Sequence, residues 1–538
     1  MTPLESLQKI DRTQHIDSWN VRLYFLSRHP WVLIGIAAFV MIVATGAGWF
    51  LQKPFPKAFG GLPFDPETLK SELEQPAPDM KKVLGMLPQV SRRWIDGESV
   101  RVWIAASHLS DNEKLVAQAT LTSMHEDSFE PNADLIYYAH YVRPLRYANE
   151  LIGDYYEREG QPAKAAQYYQ REVVFAEDTT AKTKLVNVLL ESHDRVGLKK
   201  LNNNAAFVSH LRPEHRLYLA ALDHRWMDLI TPLRDLQIQM VKPVPATLAV
   251  IAGLVWLLIA IQSIQPRSIA SFRIVISLFA VGLGMLSTFP TLLSGLWMEE
   301  TLGLQHSEGI FENFLFFMLS VGPREELIKL AFVLPILAIC LIRKNRLEML
   351  IGAGCVGLGF AIWENLSYFA NFGSAVAFPR FLTANFFHLA LTGLCGLGLY
   401  DFLTNPVKKA LPFLGILLAM IVAHGAYDFM ASIPGVPILS LGSMIAFMLV
   451  SLFFFRTLRG LRDGATDQIS IGGTFVVGIS ILAGCILIFA AREISFIPAV
   501  ISLAVTMFGM VMVGYMFYWQ LGEGMSAIEE VPERPYYS

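Results

Sequence analysis

Apolar residues along this chain gather into runs long enough to cross a bilayer, interrupted by one long stretch of ordinary polarity. Trp31–Leu51 is an apolar run of 21 residues, and roughly 20 suffice to span the hydrocarbon core. Residues 52–243 have the composition of a water-soluble domain. From Val244 the apolar runs return: Val244–Ser263, Ile274–Trp297, Pro323–Ile342, Leu347–Phe369, Phe381–Leu403, Leu411–Met430, Ile438–Phe455, Ile471–Ala491 and Phe496–Trp519. The pattern predicts an all-α protein, a polytopic transmembrane bundle of about ten spans plus one helical soluble domain. Gly309–Leu319 is apolar but short and is interrupted by Gly322-Pro323, so it reads as an interfacial or re-entrant piece.

The first run begins too far from Met1, and is too long, for a cleaved signal peptide, so it reads as a retained anchor. Gln52–Pro78 is rich in Pro and Gly and reads as a linker. From Met80 to Met240 the pattern is amphipathic helices with short breaks. Within it, Leu151–Tyr169 resembles one tetratricopeptide helix pair: Ile152, Gly153, Tyr156, Ala165 and Tyr169 occupy the packing positions, and Gly160-Gln161-Pro162 makes the turn. The next 34 residues fit that pattern poorly. A generic helical domain is the other reading; true repeats would present a concave face to a protein partner.

Basic residues set the topology. Short loops of one alternating set carry Arg267, Arg273, Arg343, Lys344, Arg346, Lys408, Lys409, Arg456, Arg459 and Arg462, while the other set carries Arg380 and Arg492, ten against two. The bias predicts a multi-pass protein of the cell (inner) membrane with both termini in the cytoplasm. The expected divisions are a cytoplasmic N-terminus at 1–30, an anchor at 31–51, an extracytoplasmic helical domain at 52–243, spans two and three within 244–308, a core at 309–455, the last spans at 456–519 and a polar, acidic cytoplasmic tail at 520–538.

Composition adds little beyond this. Hydrophobic residues make up 53% of the chain, and the net charge of −3 gives no basis for nucleic-acid binding. The four cysteines all lie in apolar runs and offer no disulfide framework or paired-cysteine metal site.

The informative residues are polar ones inside the spans. Glu325, Glu326 and Lys329 open the fourth span, Glu364 and Asn365 lie in the fifth, His388 with Asn385 in the sixth, and His424 and Asp428 in the seventh. At ~1.5 Å rise per residue, each falls within about 10 Å of the outer end of its helix, in one layer beneath the outer surface. Ionisable groups inside a membrane are costly, so they face a protein interior or a watery cavity. Glu325 and Lys329 are four residues apart and share a helix face. Two close carboxylates resist joint ionisation, and an ammonium beside them keeps one charged, which lets a general base and a general acid coexist. His424 and Asp428 share a face in the same way, the carboxylate either fixing the imidazole tautomer or sharing a metal with it. Trp363 and Tyr368 flank Glu364 and are placed to close the cavity. Taken singly, Glu325–Lys329 could be a packing ion pair, His388 a core histidine and Asp428 a helix cap; their common depth favours one functional cavity.

In order along consecutive helices, Glu325-Glu326-x-x-Lys329, Phe360-x-x-x-Glu364-Asn365, His388-x-x-x-x-Gly393 and His424-Gly-x-x-Asp428 resemble the motifs of the PrsW-type intramembrane proteases, within the CAAX- and bacteriocin-processing superfamily. The resemblance covers roughly residues 270–455. It implies an intramembrane endopeptidase in which Glu325 and Glu326 activate water, assisted by Glu364 and His388, with His424 and Asp428 supporting the oxyanion or a metal. His388, His424 and Glu364 could form a two-histidine, one-carboxylate zinc site. The wider superfamily often has a basic residue one position later and a histidine where Glu364 stands, departures that favour the PrsW branch and leave the metal open. The implied partners are a membrane-anchored protein substrate, the lipid bilayer and a protein bound to the helical outer domain. A proton-coupled transporter and a non-catalytic scaffold are the competing functions.

Overall fold

The computed structural model describes residues 26–521 except 53–65, 88–98, 126–128, 141–145, 174–178, 193, 223–225, 265–270, 308, 434–436 and 463–469. Most of the polar N-terminus, about half of the Pro/Gly linker, Arg267 and most of the acidic tail lie outside the described residues. Every regular element among the described residues is a helix. The chain divides into two compact units, Met1–Pro54 with Gln237–Ser538, and Phe55–Leu236.

The membrane unit contains α1 (Pro30–Leu51), α2 (Pro243–Ser263), α3 (Phe272–Leu302), α4 (Gly322–Arg343), α5 (Arg346–Phe372), α6 (Ala384–Thr404), α7 (Pro406–Ser432), α8 (Pro437–Leu461), α9 (Ile471–Ile494), α10 (Phe496–Gly509) and α11 (Val511–Leu521). Among the described residues, eight stretches are long and apolar enough to cross a membrane, and α10 with α11, bent by 58°, makes nine if the pair is one span. Helix α4 has 22 residues, about 33 Å, but its charges keep it below the apolarity of the others. With α4 included, the total is the ten expected.

Local sequence sets the helix ends. Pro30 and Pro406 occupy the first turns of α1 and α7, where a missing N–H costs nothing. Asn345 caps α5 by accepting from the Glu348 N–H at 3.0 Å, directly after Lys344 closes α4 in a left-handed conformation (φ 51°). This tight turn makes α4 and α5 antiparallel neighbours. Two boundaries differ from the sequence reading. Gly322-Pro323 does not break the chain: Ile310–Arg343 is helical throughout, with a π-helical turn at Phe316–Val321 whose wider backbone accommodates the proline. The sixth span is broken at Thr383, between the short helix Ala377–Leu382 and α6.

Burial ranks the helices. The apolar window of α5 is 83% buried and that of α6 78%, against 17% for α1 and α7. Helix α5 is thus the axis, enclosed by α2, α3, α4 and α6. Its glycines permit this. A Cβ on Gly357 would overlap the His388 carbonyl, so α5 and α6 approach backbone to backbone where the site is built.

The soluble unit is helical, with hydrophobic clusters that succeed one another along the chain. One centres on Leu69, Val100, Ile104 and Leu121, the next on Leu135, Leu151 and Ile152, the third on Tyr169, Leu185 and Leu219. The pair expected at Leu151–Tyr169 is present as Ala148–Arg158 and Pro162–Glu172, joined through Gly160 at φ 65°. The Glu172 carboxylate is buried at the start of this pair. It accepts from the N–H groups of Asn149 at 3.1 Å and Glu150 at 3.3 Å, and from that of Tyr147, so it caps Ala148–Arg158 from a neighbouring helix.

Candidate active site

Four helices converge on one polar centre in the membrane unit. Glu325, Glu326 and Lys329 come from the first two turns of α4, Glu364 and Asn365 from α5, His388 and Asn385 from α6, and His424 and Asp428 from α7. Close packing lets them meet. A Cβ on Gly322 would stand 2.7 Å from the Ile421 carbonyl oxygen, so the start of α4 lies directly on α7 one turn before His424.

Lys329 is the hub. Its side chain is fully buried, with Nζ 2.6 Å from Glu326 Oε1 and 3.8 Å from Glu325 Oε2. Nζ also donates to His388 Nδ1 at 3.0 Å and lies 4.5 Å from the centre of the Phe360 ring. An ammonium can only donate, so His388 Nδ1 accepts, its proton sits on Nε2, and Nε2–H donates to Glu364 Oε2 at 3.2 Å. Glu364 is held from the other side by Arg380, whose Nη2 donates to the same oxygen at 2.6 Å. Arg380 also donates through Nε to Asn365 Oδ1 and stacks 3.5 Å over Tyr368, and Asn365 Nδ2 donates to Asn385 Oδ1 at 2.6 Å.

His424 faces three carboxylates. Its Nδ1 is 2.8 Å from Glu326 Oε1, and its Nε2 is 3.3 Å from Asp428 Oδ2 and 3.6 Å from Glu325 Oε2. The His388 and His424 rings are 5.1 Å apart and nearly perpendicular. Glu325 and Glu326 are 7% and 1% exposed, whereas Glu364 and Asp428 keep 25% and 30% of their side chains open. The site therefore has a closed floor on α4 and a more open rim on α5 and α7. Glu325 Oε2 is buried on that floor without a hydrogen-bond partner, a costly condition for a carboxylate oxygen.

All nine polar residues singled out within the spans share this centre. Three details differ. Arg380, placed by sequence among the outer loop charges, is part of the network; the available signal was one basic residue between two motif-bearing spans on a nearly charge-free face. Trp363 is turned to donate to Gln237, so of the two aromatic residues flanking Glu364 it is Tyr368 that lies against the network. The carboxylate within ligand reach of both imidazoles is Glu325, where the sequence reading has Glu364: ligand atoms of Glu325, His388 and His424 all lie within 4.8 Å of one another. Glu364 is held at the rim by Arg380.

Two imidazoles and a carboxylate are a recognised donor set for zinc, and Glu325 Oε2, buried without a hydrogen bond, suits a cation. Both nitrogens of His388 are engaged, by Lys329 and Glu364, so ligation through either would exchange one of those contacts for a metal bond. The residues present fit a divalent metal on Glu325, His388 and His424.

Residues 273–456 match the model of a family described as PrsW family intramembrane metalloprotease. This segment is similar to a PrsW-type protease domain. The match contains α4–α7 and every residue of the polar centre, and it ends within α8. The soluble unit and α9–α11 lie outside it. No curated protein and no solved structure matches the chain. The chain is thus a multi-pass membrane protein that carries a peptidase domain.

Proposed function

We propose that the polar centre hydrolyses peptide bonds of membrane-anchored proteins near the outer face of the cell (inner) membrane, by direct attack of water. The single observation that supports this most is the buried Glu325 carboxylate within reach of two imidazoles, beside a second glutamate ion-paired to Lys329 and His424. Glu325 accepts a proton as the water oxygen attacks the peptide carbonyl carbon. Glu326, committed to Lys329 and His424, remains an anion and holds both cations in place. The Nε2–H of His424, oriented by Asp428, donates to the carbonyl oxygen as negative charge develops there. The proton on Glu325 then passes to the leaving amine as the C–N bond breaks. Glu364, Asn365 and His388 keep Lys329 and the rim in register. A zinc ion held by Glu325, His388 and His424 would need a neutral His424 and would take over the roles of Glu325 as base and His424 as donor, supplying Lewis-acid polarisation and a more acidic water.

Direct attack is favoured because the domain's cysteines, Cys340, Cys355 and Cys395, are buried among apolar residues in place of a base. The ten-to-two bias of basic residues supports cytoplasmic termini and an outer soluble unit. In this reading the soluble unit, with its tetratricopeptide-like helix pair, selects the substrate or binds a partner protein.

The test is a tagged single-pass reporter co-reconstituted with the purified protein in vesicles, with the product ends read by mass spectrometry. Cleavage within about two helical turns of the outer face, sensitive to Glu325→Gln, is expected. Cuts at the inner face, or intact reporter with folded wild-type protein, would contradict the proposal.

A further inference from the structure

Of the five arginines from Arg273 to Arg380, four hold a carboxylate: Arg273 and Arg343 reach Glu348, Arg346 reaches Asp401 and Arg380 reaches Glu364. The fifth is Arg324, in the first turn of α4 and next in sequence to Glu325, and it has no ion pair among the described residues. A guanidinium carries five N–H donors and keeps its charge. The one hydrogen bond of Arg324 among the described residues is long, from Nη1 to Ser320 Oγ at 3.4 Å, and its Nε is buried without a partner. Glu325 is the one charged side chain whose field reaches it. An unpaired charge at membrane depth is costly and marks a functional position, so this one calls for an anion from outside the chain.

The side chain is not simply turned out toward lipid headgroups. Adjacent residues on a helix point about 100° apart: Glu325 faces His424 on α7, and Arg324 faces α3. A Cβ on Gly295 of α3 would stand 2.5 Å from Nη1 and 3.1 Å from Cζ, so the bare backbone of Gly295 is what leaves the guanidinium its place. Ser320, in the π-helical turn before α4, is fully buried beneath it. The residue as a whole is only half-buried, so part of the guanidinium stays within reach of a ligand. The cation is thus lodged between α3 and α4, one residue from the proposed base.

We propose that Arg324 is a specificity-determining residue that takes the carboxylate of an Asp or Glu in the substrate, an inference that rests on the peptidase reading above. The planar fork of a guanidinium matches two carboxylate oxygens. Arg324 and Glu325 leave the helix from Cα atoms about 3.8 Å apart, and an extended substrate advances about 3.3–3.6 Å per residue, which puts the acidic residue within about four positions of the scissile bond. A substrate carboxylate is favoured over a lipid phosphate because the guanidinium lies against Gly295 and Ser320, on the protein side of the helix, and beside the base.

The probes are single-pass reporters with one Asp, Asn or Lys placed in turn along the outer two helical turns of the span. Their affinity is measured in phosphatidylcholine vesicles for full-length Glu325→Gln protein, so the result does not depend on hydrolysis. At one or more positions the Asp reporter should bind at least about tenfold more tightly than its Asn twin. Adding Arg324→Gln should abolish that preference, and Arg324→Glu should turn it toward Lys, a gain that damage to the fold cannot produce. Acidic preference in binding without cleavage by wild type would uphold the site and count against the peptidase reading alone. Equal affinity for Asp and Asn at every position, or a preference that survives Arg324→Gln, overturns the proposal. A preference for Asp that added phosphatidylglycerol competes away would make a lipid phosphate the occupant and overturn it as well.

Discussion

Arg380 donates to Glu364 across 2.6 Å, and the same carboxylate oxygen receives the Nε2–H of His388. Arg380 is thereby a positioning residue: it fixes Glu364, which fixes the His388 tautomer, which leaves Nδ1 facing Lys329. Arg380→Gln should lower kcat roughly 10²-fold through misplacement, with a smaller change in KM. Arg380→Lys should recover part of kcat, since an ammonium can still reach Glu364 but cannot also serve Asn365. Equal losses in both variants would point to a general packing role; cleavage kinetics on the reporter decide between them.

Lys329 is buried beside two glutamates, and removing it strands their charge. Lys329→Met should destabilise the membrane unit by about 3–5 kcal/mol, the usual cost of breaking a buried pair. Glu326→Gln/Lys329→Met should regain much of that stability while remaining inactive, because charge balance returns and the ion-paired glutamate does not. Thermal unfolding in detergent gives the first quantity and reporter cleavage the second.

The backbone contact at Gly357 makes a steric prediction. Gly357→Ala must push α5 from α6 at His388 and should cost about 1–3 kcal/mol by overpacking. Gly282→Ala, with open space around its Cβ, is the control and should be near neutral. Activity should fall in the first variant by more than its stability loss explains, since His388 moves with its carbonyl.

Zinc titration separates the two carboxylates. Glu325→Gln and His424→Gln should each weaken uptake of one equivalent strongly, whereas Glu364→Gln should keep the ligand set and weaken it about 10–100-fold at most through His388. Binding by Glu325→Gln equal to wild type would remove Glu325 from the ligands. Metal content, not activity, is the readout.

In the soluble unit, burial pushes the Glu172 carboxyl up to about 7, against the opposing pull of three backbone N–H groups. A carboxyl whose folded pKa exceeds its unfolded value binds protons more readily when folded. Its contribution is therefore present at low pH and lost as pH rises through the window from about 4.5 to about 7. Local stability around Ala148–Arg158 should fall over that window by up to about 3 kcal/mol, and Glu172→Gln should flatten the dependence. Hydrogen exchange of the full-length protein, corrected for intrinsic rates, reads this at residues 148–152.

Much of this arrangement is legible in the sequence. Helices and their ends follow from apolar runs, prolines and Asn345, because a bilayer admits few alternatives. The depth of Glu325, Glu364, His388 and His424 along their helices foretold that they would meet. Direction around the helix was harder to read. Glu364 and Glu325 are both near the histidines in depth, and only the rotation of α5 against α4, with Arg380 at its flank, decides which one faces both imidazoles. The π turn before Gly322 was hidden for a similar reason. Gly-Pro in sequence signals a break, yet here tertiary contact with α7 holds the backbone helical. Arg380 was counted as a loop charge because a span boundary drawn at Phe381 leaves it outside.

The claim that Glu325 activates water while Glu326 holds Lys329 and His424 beside it is tested most directly by the reporter in vesicles. The single variants Glu325→Gln and Glu326→Gln should each abolish cleavage, the first unfolding within a few degrees of wild type and the second folded but destabilised through the loss of its pair with Lys329. Cleavage at the wild-type rate by either folded variant would contradict it.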